Sequence, residues 1–385
     1  MTAQPAAMPP SSTNQGVRAR LGHQVRHAST RGLAAVAVVA LLVGSVPPGP
    51  ADAIGGLRIM VTDTCLSTQG PVNTSTHLIW RAANGKPKGE WTLTSNSQGQ
   101  LEVSCDVPVV GGDRIAVTAG SLHRTLTVPP LTARFDRVSH RVSGRGPAGG
   151  TLQISVEGGS KAHPTRVSCT TSTVVSALGV YSVDVEAIAP GGACPARYTT
   201  AGGDFAYVSW TDGLHDVVEV APTAQLVEVT IGEAGVAGYL LPGATVTFEL
   251  RTTTRVLRGS ATVHGDAWGG EFGRDLRDAQ GHLVPIRVGD RLSGDWARHV
   301  ELVIPDMHFT FWPIYNWVFG WCLPDAPYLL ELQGGDASVD AVGATDTHGE
   351  TAAVAWSGRP RAGDHAFLDC LLPSTDSVSF SQVMP

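Results

Sequence analysis

A valine- or isoleucine-rich strand runs into proline at Val128-Pro129, Val220-Ala221-Pro222, Ile304-Pro305 and Val383-Met384-Pro385. These prolines stand 93, 83 and 80 residues apart (222 − 129, 305 − 222, 385 − 305). Repetition at a near-fixed period constrains architecture more than any single residue, because each repeat must be one folding unit of the same kind. The spacing predicts four units, 54–129, 130–222, 223–305 and 306–385, each the size of a small β-sandwich.

Residues 1–53 read differently. Arg18, Arg20, Arg26 and Arg31 precede an apolar run from Leu33 to Val46, and a Pro-rich stretch ends at Ala51-Asp52-Ala53. A basic region, an apolar stretch too short for a tilted membrane span and an A-x-A end predict a secretory signal peptide, 1–53. No adjacent arginine pair marks a twin-arginine signal, and no cysteine precedes Cys65 for lipid attachment. Leu372-Pro373-Ser374-Thr375 looks like a wall-sorting signal, but Asp376 stands where glycine is expected and no apolar, basic tail follows. The expectation is a secreted, extracellular chain, released or held by non-covalent contacts, with no transmembrane segment after cleavage.

Charge narrows the partners. The first 53 residues hold four arginines and one aspartate, so their removal takes the formal charge from −7 to −10 (−7 − 3). That balance leaves no electrostatic footprint for nucleic acid or an anionic membrane. Only Lys86, Lys88 and Lys161 supply lysine among 27 basic residues, a coding bias that suggests a GC-rich bacterial genome. No long segment has a 3.6-residue apolar period, and Val, Thr, Gly and Pro dominate, so the fold class reads as all-β.

The units share a grammar. Val236-Ala237-Gly238 matches Val318-Phe319-Gly320 at an offset of 82 (318 − 236), with Pro242 on Pro324 and Glu249-Leu250 on Glu331-Leu332. The second unit carries the phrase as Val142-Ser143-Gly144, Pro147 and Thr151 to Val156; the first keeps clearly only the strand around Thr76 to Trp80. This is a strand, a glycine–proline turn and a second alternating strand. Gly112-Asp113, Gly203-Asp204, Gly289-Asp290 and Gly363-Asp364 then each precede a further strand in the same phase. Val-x-Gly, then Pro-Gly-Ala-Thr-Val at Pro242 to Val246, then the closing Gly-Asp strand resembles tandem bacterial immunoglobulin-like repeats. The resemblance implies four tandem Ig-like antiparallel β-sandwich domains, which commonly act as rods, spacers or adhesive modules, and it carries no catalytic residues. Linkers of one or two residues around proline predict a semi-rigid rod.

Six cysteines fall two to the first unit (Cys65, Cys105), two to the second (Cys169, Cys194) and two to the fourth (Cys322, Cys370). Six allow fifteen pairings, and even counts per unit in an exported chain favour one structural disulfide inside each of the three. No C-x-x-C pair suggests a zinc site. Calcium at a unit junction would draw on aspartates such as Asp306 and Asp325, but no metal or cofactor is expected.

Residues 309–321, FTFWPIYNWVFGW, hold seven of the 24 aromatic residues (9 Trp, 6 Tyr, 9 Phe). Phe309, Phe311, Tyr315, Trp317, Phe319 and Trp321 occupy odd positions, so one strand would put them on one face, with Pro313 interrupting and Trp312 pointing the other way. Two readings are open: these rings fill the core of the fourth unit, or Phe311, Tyr315, Trp317, Phe319 and Trp321 form an exposed platform for sugar rings, peptide or lipid. His123, His215 and His299 follow the final turn of three units and read as polar turn residues. No G-x-S-x-G elbow, H-E-x-x-H or phosphate-binding loop occurs, and no catalytic residue is assigned. The sequence therefore predicts a secreted, non-catalytic protein with a structural, adhesive or ligand-binding role, contacting a cell-wall glycan or another surface protein. The alternatives are a carbohydrate-binding protein and a polysaccharide hydrolase.

Overall fold

The computed structural model describes residues 56–62, 65–104, 108–158, 167–192, 194–266, 270–297, 300–312, 315–334, 337–355 and 363–383. The described residues contain strands and turns and no helix. The first seven strands are β1 (Arg58–Val61), β2 (Leu66–Gln69), β3 (Ser75–Arg81), β4 (Pro87–Thr94), β5 (Gln100–Ser104), β6 (Arg114–Ala119) and β7 (Leu122–Thr127). The next seven are β8 (Thr132–Asp136), β9 (Arg141–Arg145), β10 (Thr151–Gly158), β11 (Val167–Val174), β12 (Val180–Asp184), β13 (Phe205–Thr211) and β14 (Val217–Val220). A third block holds β15 (Leu226–Thr230), β16 (Gly235–Tyr239), β17 (Thr245–Arg251), β18 (Leu257–His264), β19 (Glu271–Asp275), β20 (Arg291–Gly294) and β21 (Val300–Val303). The last comprises β22 (His308–Trp312), β23 (Trp317–Trp321), β24 (Pro327–Gly334), β25 (Ala337–Ala344), β26 (Val354–Ala355), β27 (His365–Leu371) and β28 (Ser377–Val383).

In each block the first, second and fifth strands pair as one set and the fourth, third, sixth and seventh as another, for example β1-β2-β5 and β4-β3-β6-β7. This is an Ig-like sandwich in which the fourth strand has joined the sheet of the third, unlike the antibody constant arrangement. Alternation places the core. On β3 and β6 the buried residues Leu78 and Trp80 lie opposite Val117 and Ile115. The Val-x-Gly phrase is the second strand of its block, and glycine is needed there. A Cβ on Gly144 would sit 1.9 Å from the Thr132 carbonyl oxygen, and one on Gly238 would sit 2.0 Å from that of Leu226.

The Gly-Asp phrase closes a turn before the sixth strand. Asp113, Asp204 and Asp290 each accept on Oδ2 the N–H of the residue three earlier, Val110, Ala201 and Arg287. Their own N–H groups return to the carbonyls of those same residues. The Asp113 carboxylate also accepts the Trp80 indole N–H at 3.0 Å and the Lys88 ammonium at 2.6 Å. The carbonyl oxygens of Asp113, Asp204 and Asp290 accept the N–H groups of Val128, Ala224 and Ile304, so these three residues are structurally equivalent. Two of them precede proline; the third precedes Gln225, two residues past the Ala224-side neighbour of Pro222.

The blocks do not follow one another as separate beads. β1 pairs in parallel with β14, so β11-β10-β13-β14-β1-β2-β5 is one seven-stranded sheet. β15 likewise pairs in parallel with β28, giving β19-β16-β15-β28-β27-β24-β25. Val61 lies opposite Val218, and Val229 opposite Val378, all buried, so each wide sheet turns one side to the cores of both its blocks. Apolar packing follows the pairing: one cluster runs from Leu57 to Ala224 and the other from Val227 to Val378. The expected rod of units joined only by short linkers is corrected to two fused double sandwiches. Pairing is antiparallel within a block and parallel between partners, a long-range contact that no local linker rule contains.

A buried aspartate clamps each fusion. Asp216, before β14, accepts the Ile59 N–H at 2.8 Å on Oδ1 and the Arg124 guanidinium at 2.9 Å on Oδ2. Asp376, before β28, accepts the Val227 N–H at 2.8 Å and the Trp296 indole N–H at 3.2 Å on Oδ1. Asp376 also takes both terminal nitrogens of Arg137, at 3.1 and 3.0 Å, from the other double sandwich. Such bidentate, fully buried pairs are costly to disrupt from one side. Gln225 completes the junction by accepting the Arg137 N–H and donating to Asp136. Leu372-Pro373-Ser374-Thr375 is thus the turn leading from β27 to this clamp, and Asp376 has a structural role there.

Two disulfides lie within blocks, Cys169–Cys194 and Cys322–Cys370. Cys65 is also disulfide-bonded, while Cys105 lies outside the described residues.

Candidate functional site

The aromatic segment is a hairpin of two strands. β22 pairs with β23 in the register His308↔Trp321, Phe309↔Gly320, Thr310↔Phe319, Phe311↔Val318 and Trp312↔Trp317. Residues directly opposite share a face, so the turn between the strands shifts the parity expected of a single strand. Phe309 and Phe311 face inward with buried Val318 and pack against the core; Phe309 lies 5.6 Å from Phe380. Phe311 is therefore separated from the platform predicted from the sequence. Trp312, expected on the opposite face, joins Trp317, Phe319 and Trp321 on the outer one. Pro313 and Ile314 lie outside the described residues. Asn316 takes φ 52°, the left-handed conformation that hairpin turns require and asparagine tolerates.

Four rings close a circuit on that outer face. Trp312 lies 5.1 Å from Phe319 and 6.3 Å from Tyr315, Tyr315 lies 5.2 Å from Trp317, and Trp317 lies 6.5 Å from Phe319. Trp312, Tyr315 and Trp317 are 48%, 60% and 39% exposed. Phe319 and Trp321 are partly buried beneath them, and His308 stacks on Trp321 at 5.5 Å. The four rings are mutually inclined by 59°, 49°, 31° and 76°. They make a faceted patch of apolar area with little side-chain entropy to lose, and no flat shelf.

The fold holds this patch in place. β22 is an edge strand of β22-β23-β26, and the Cys322–Cys370 bridge ties the end of β23 to β27 in the opposing sheet. The backbone of Glu350 bridges to that of Trp321 at the end of this face.

Other candidates disperse. His123 lies within β7 against Thr118 and Thr125, whereas His215 sits in the turn before β14 at φ 69°. These two are not equivalent, and His299 lies outside the described residues. No group of three or more His, Cys, Asp or Glu that could hold a metal ion gathers among the described residues, Asp306 and Asp325 included. The Asp216 and Asp376 clamps escaped the sequence reading. Their signal is the aspartate that stands immediately before the last strand of the second and fourth blocks alone. Burial pushes the Asp216 carboxyl above its ordinary value, against the stabilising Ile59 N–H and Arg124.

No known protein family matches the chain, and no curated protein does either. Among solved structures, it is similar to a tetra-tandem repeat in the extending region of a large adhesion protein, at 11% identity over 85% of this chain and 98% of that one, with a TM-score of 0.17. It is also similar to a Ca2+-stabilized adhesin of an ice-binding Antarctic bacterium, at 13% identity over 86% and 98%, TM-score 0.15. A third is Escherichia coli alpha-2-macroglobulin, at 9% identity over 89% of this chain and 30% of that one, TM-score 0.18. Likenesses at these scores carry no argument about function, which rests on the residues above.

Proposed function

We propose that this is a secreted, non-catalytic protein of structural and adhesive role, built from four Ig-like modules at 54–129, 130–222, 223–305 and 306–385. Its contact surface is the outer face of the β22–β23 hairpin, carried by Trp312, Tyr315, Trp317, Phe319 and Trp321. The observation that supports this reading is the closed circuit of four rings, three of them well exposed, on an edge hairpin cross-linked to the sandwich. Exposed tryptophan and tyrosine at one place are characteristic of interface centres. Two disulfides and a further disulfide-bonded cysteine, Cys65, suit an oxidising, extracellular compartment.

A glycan-binding reading draws on the same tryptophans. The inclination of the rings favours a partner that projects apolar groups into the facets over a flat polysaccharide chain stacked along them. Retention of the secreted protein on whole cells, isolated wall and insoluble polysaccharide tests both. A variant with Trp312→Ala and Trp317→Ala, checked by circular dichroism, should lose retention by roughly tenfold or more. Undiminished retention of that folded variant would remove the hairpin from the contact.

A further inference from the structure

We infer that the chain is a tension-bearing element, in which each double sandwich meets a pull on its two ends as shear between its first and last strands. The inference rests on the structural role proposed above and states the load that role carries.

Parallel pairing sets the direction of loading. β1 enters the first double sandwich and β14 leaves it, and the two pair in parallel as Met60↔Val217 and Val61↔Val218. A pull along the chain acts on the Arg58 end of β1 and the Val220 end of β14, which lie at opposite ends of the pair. The bonds of a parallel pair are evenly spaced along the strands, so such a pull loads them together instead of opening them one by one. β15 and β28 repeat the arrangement as Glu228↔Ser377, Val229↔Val378 and Thr230↔Ser379, and the Ile231 N–H donates to the Ser379 carbonyl at 2.9 Å.

The pairing also decides what is spared. Force entering β1 passes straight to β14, so the connection at Val128-Pro129-Pro130-Leu131 lies outside the load line while the pair holds. A block by itself has no such path. β1 belongs to β1-β2-β5 and β7 to β4-β3-β6-β7, and β15 and β21 are likewise in different sheets. Residues 221–225 then carry the load from β14 to β15.

The aspartate clamps stand on this line. Arg58 Nε donates to the His215 carbonyl at 3.2 Å and the Ile59 N–H to Asp216 Oδ1 at 2.8 Å, which extends two residue pairs by two further bonds. In the second double sandwich the Val227 N–H donates to Asp376 Oδ1 at 2.8 Å, one step before Glu228↔Ser377. Arg124 of β7 anchors Asp216 to the facing sheet, and Trp296 and Arg137 anchor Asp376. Ile59, Asp216, Val227 and Asp376 are fully buried, which keeps water from exchanging for a stretched bond.

Single-molecule unfolding at constant force compares two directions of pull on the full chain. Handles at the two ends shear both parallel pairs. A handle on Gly213→Cys, at an exposed turn position open to a side chain, together with one at the N-terminal end loads β1 and β14 from the same end and peels them. Peeled chains should unfold at least roughly tenfold faster than sheared ones at the same force. Under end-to-end tension Asp216→Ala should speed unfolding by roughly tenfold, the change that losing one buried charged hydrogen bond produces. Asp216→Asn, which keeps an acceptor for the Ile59 N–H, should fall between the two. Equal rates in both directions overturn the inference, and so does an Asp216→Ala chain as resistant end to end as the parent. The comparison of directions needs no aspartate variant and decides the question if Asp216→Ala does not fold. Equal rates in a chain whose wall retention depends on Trp312 and Trp317 would leave the adhesive contact standing while this inference falls.

Discussion

Asp216 and Asp376 hold equivalent backbone N–H groups, yet their surroundings make them unequal. The Asp376 pair is sealed: the Arg137 side chain is 6% exposed and the aspartate fully buried. Replacing Asp376 by alanine strands the guanidinium together with the Val227 and Trp296 N–H groups, and should cost about 3–5 kcal/mol. At Asp216 the partner Arg124 is 15% exposed and also reaches Asp212, so Asp216→Ala should cost less. Urea unfolding of the two variants checks the order; equal losses would mean that Arg137 finds water or another partner. Asp136, beside the same junction, gives a pH signature. Burial opposes its charge, but hydrogen bonds from Ser139, Val138 and Gln225 outweigh burial and hold its carboxyl below the ordinary 3.8. A carboxyl depressed in the folded state stabilises above its unfolded pKa, and that contribution is lost as pH falls through the folded pKa. Asp136→Asn should therefore flatten the stability profile below about pH 4 and leave the acid side otherwise unchanged. At this scale the sequence was readable where a residue serves its own turn. The Gly-Asp phase marked Asp113, Asp204 and Asp290 because each bonds a neighbour three residues away. Arg137 and Asp376 meet across 239 positions and leave no mark in either neighbourhood.

The strands themselves were legible for the same local reason. In the second and third blocks Val-x-Gly announces the second strand because a side chain there would strike the carbonyl of the first, whereas at Gly320 it would strike the Leu368 side chain; Gly144→Ala should cost about 1–3 kcal/mol by pushing β8 and β9 apart. The aromatic hairpin shows where a period of two fails. Odd positions from 309 to 321 share a face only in an unbroken strand; a turn at Tyr315-Asn316 exchanges the faces, sending Phe309 and Phe311 inward and Trp312 outward. The proline and the asparagine were the available cues. How firmly the sandwich holds this hairpin depends on the bridge from Cys322 to Cys370, which spans a sequence separation of 48. Serine at both positions should lower stability by about 4 kcal/mol through the released unfolded chain. Calorimetry should show that loss in the transition of the second double sandwich, leaving the first where it was.

At the scale of the molecule, a period of 80 to 93 residues (385 − 305 and 222 − 129) describes the blocks but not what folds as one. Parallel pairing of β1 with β14, and of β15 with β28, merges cores that the sequence presents as separate. The pairing joins the first strand of one block to the last of the next, so its partners are as far apart as two adjacent blocks allow. Truncation distinguishes a chain of four folding units from a chain of two. A fragment ending after Pro129 contains every strand of the first block but loses β14, leaving β1 as an open edge. The same cut removes Asp216, so the Ile59 N–H and the Arg124 guanidinium lose their shared acceptor. An exposed edge over a half-covered core is prone to aggregation. A fragment ending at Ala224 keeps all three sheets of the first two blocks, the clamp and the whole of the first cluster. It should unfold in a single cooperative transition, whereas the shorter fragment should bind hydrophobic dye and lack sharp amide dispersion. If the fragment ending at Pro129 folds cooperatively alone, with a stability close to that of the longer one, the parallel pairing is a contact between finished sandwiches and not part of what makes them fold.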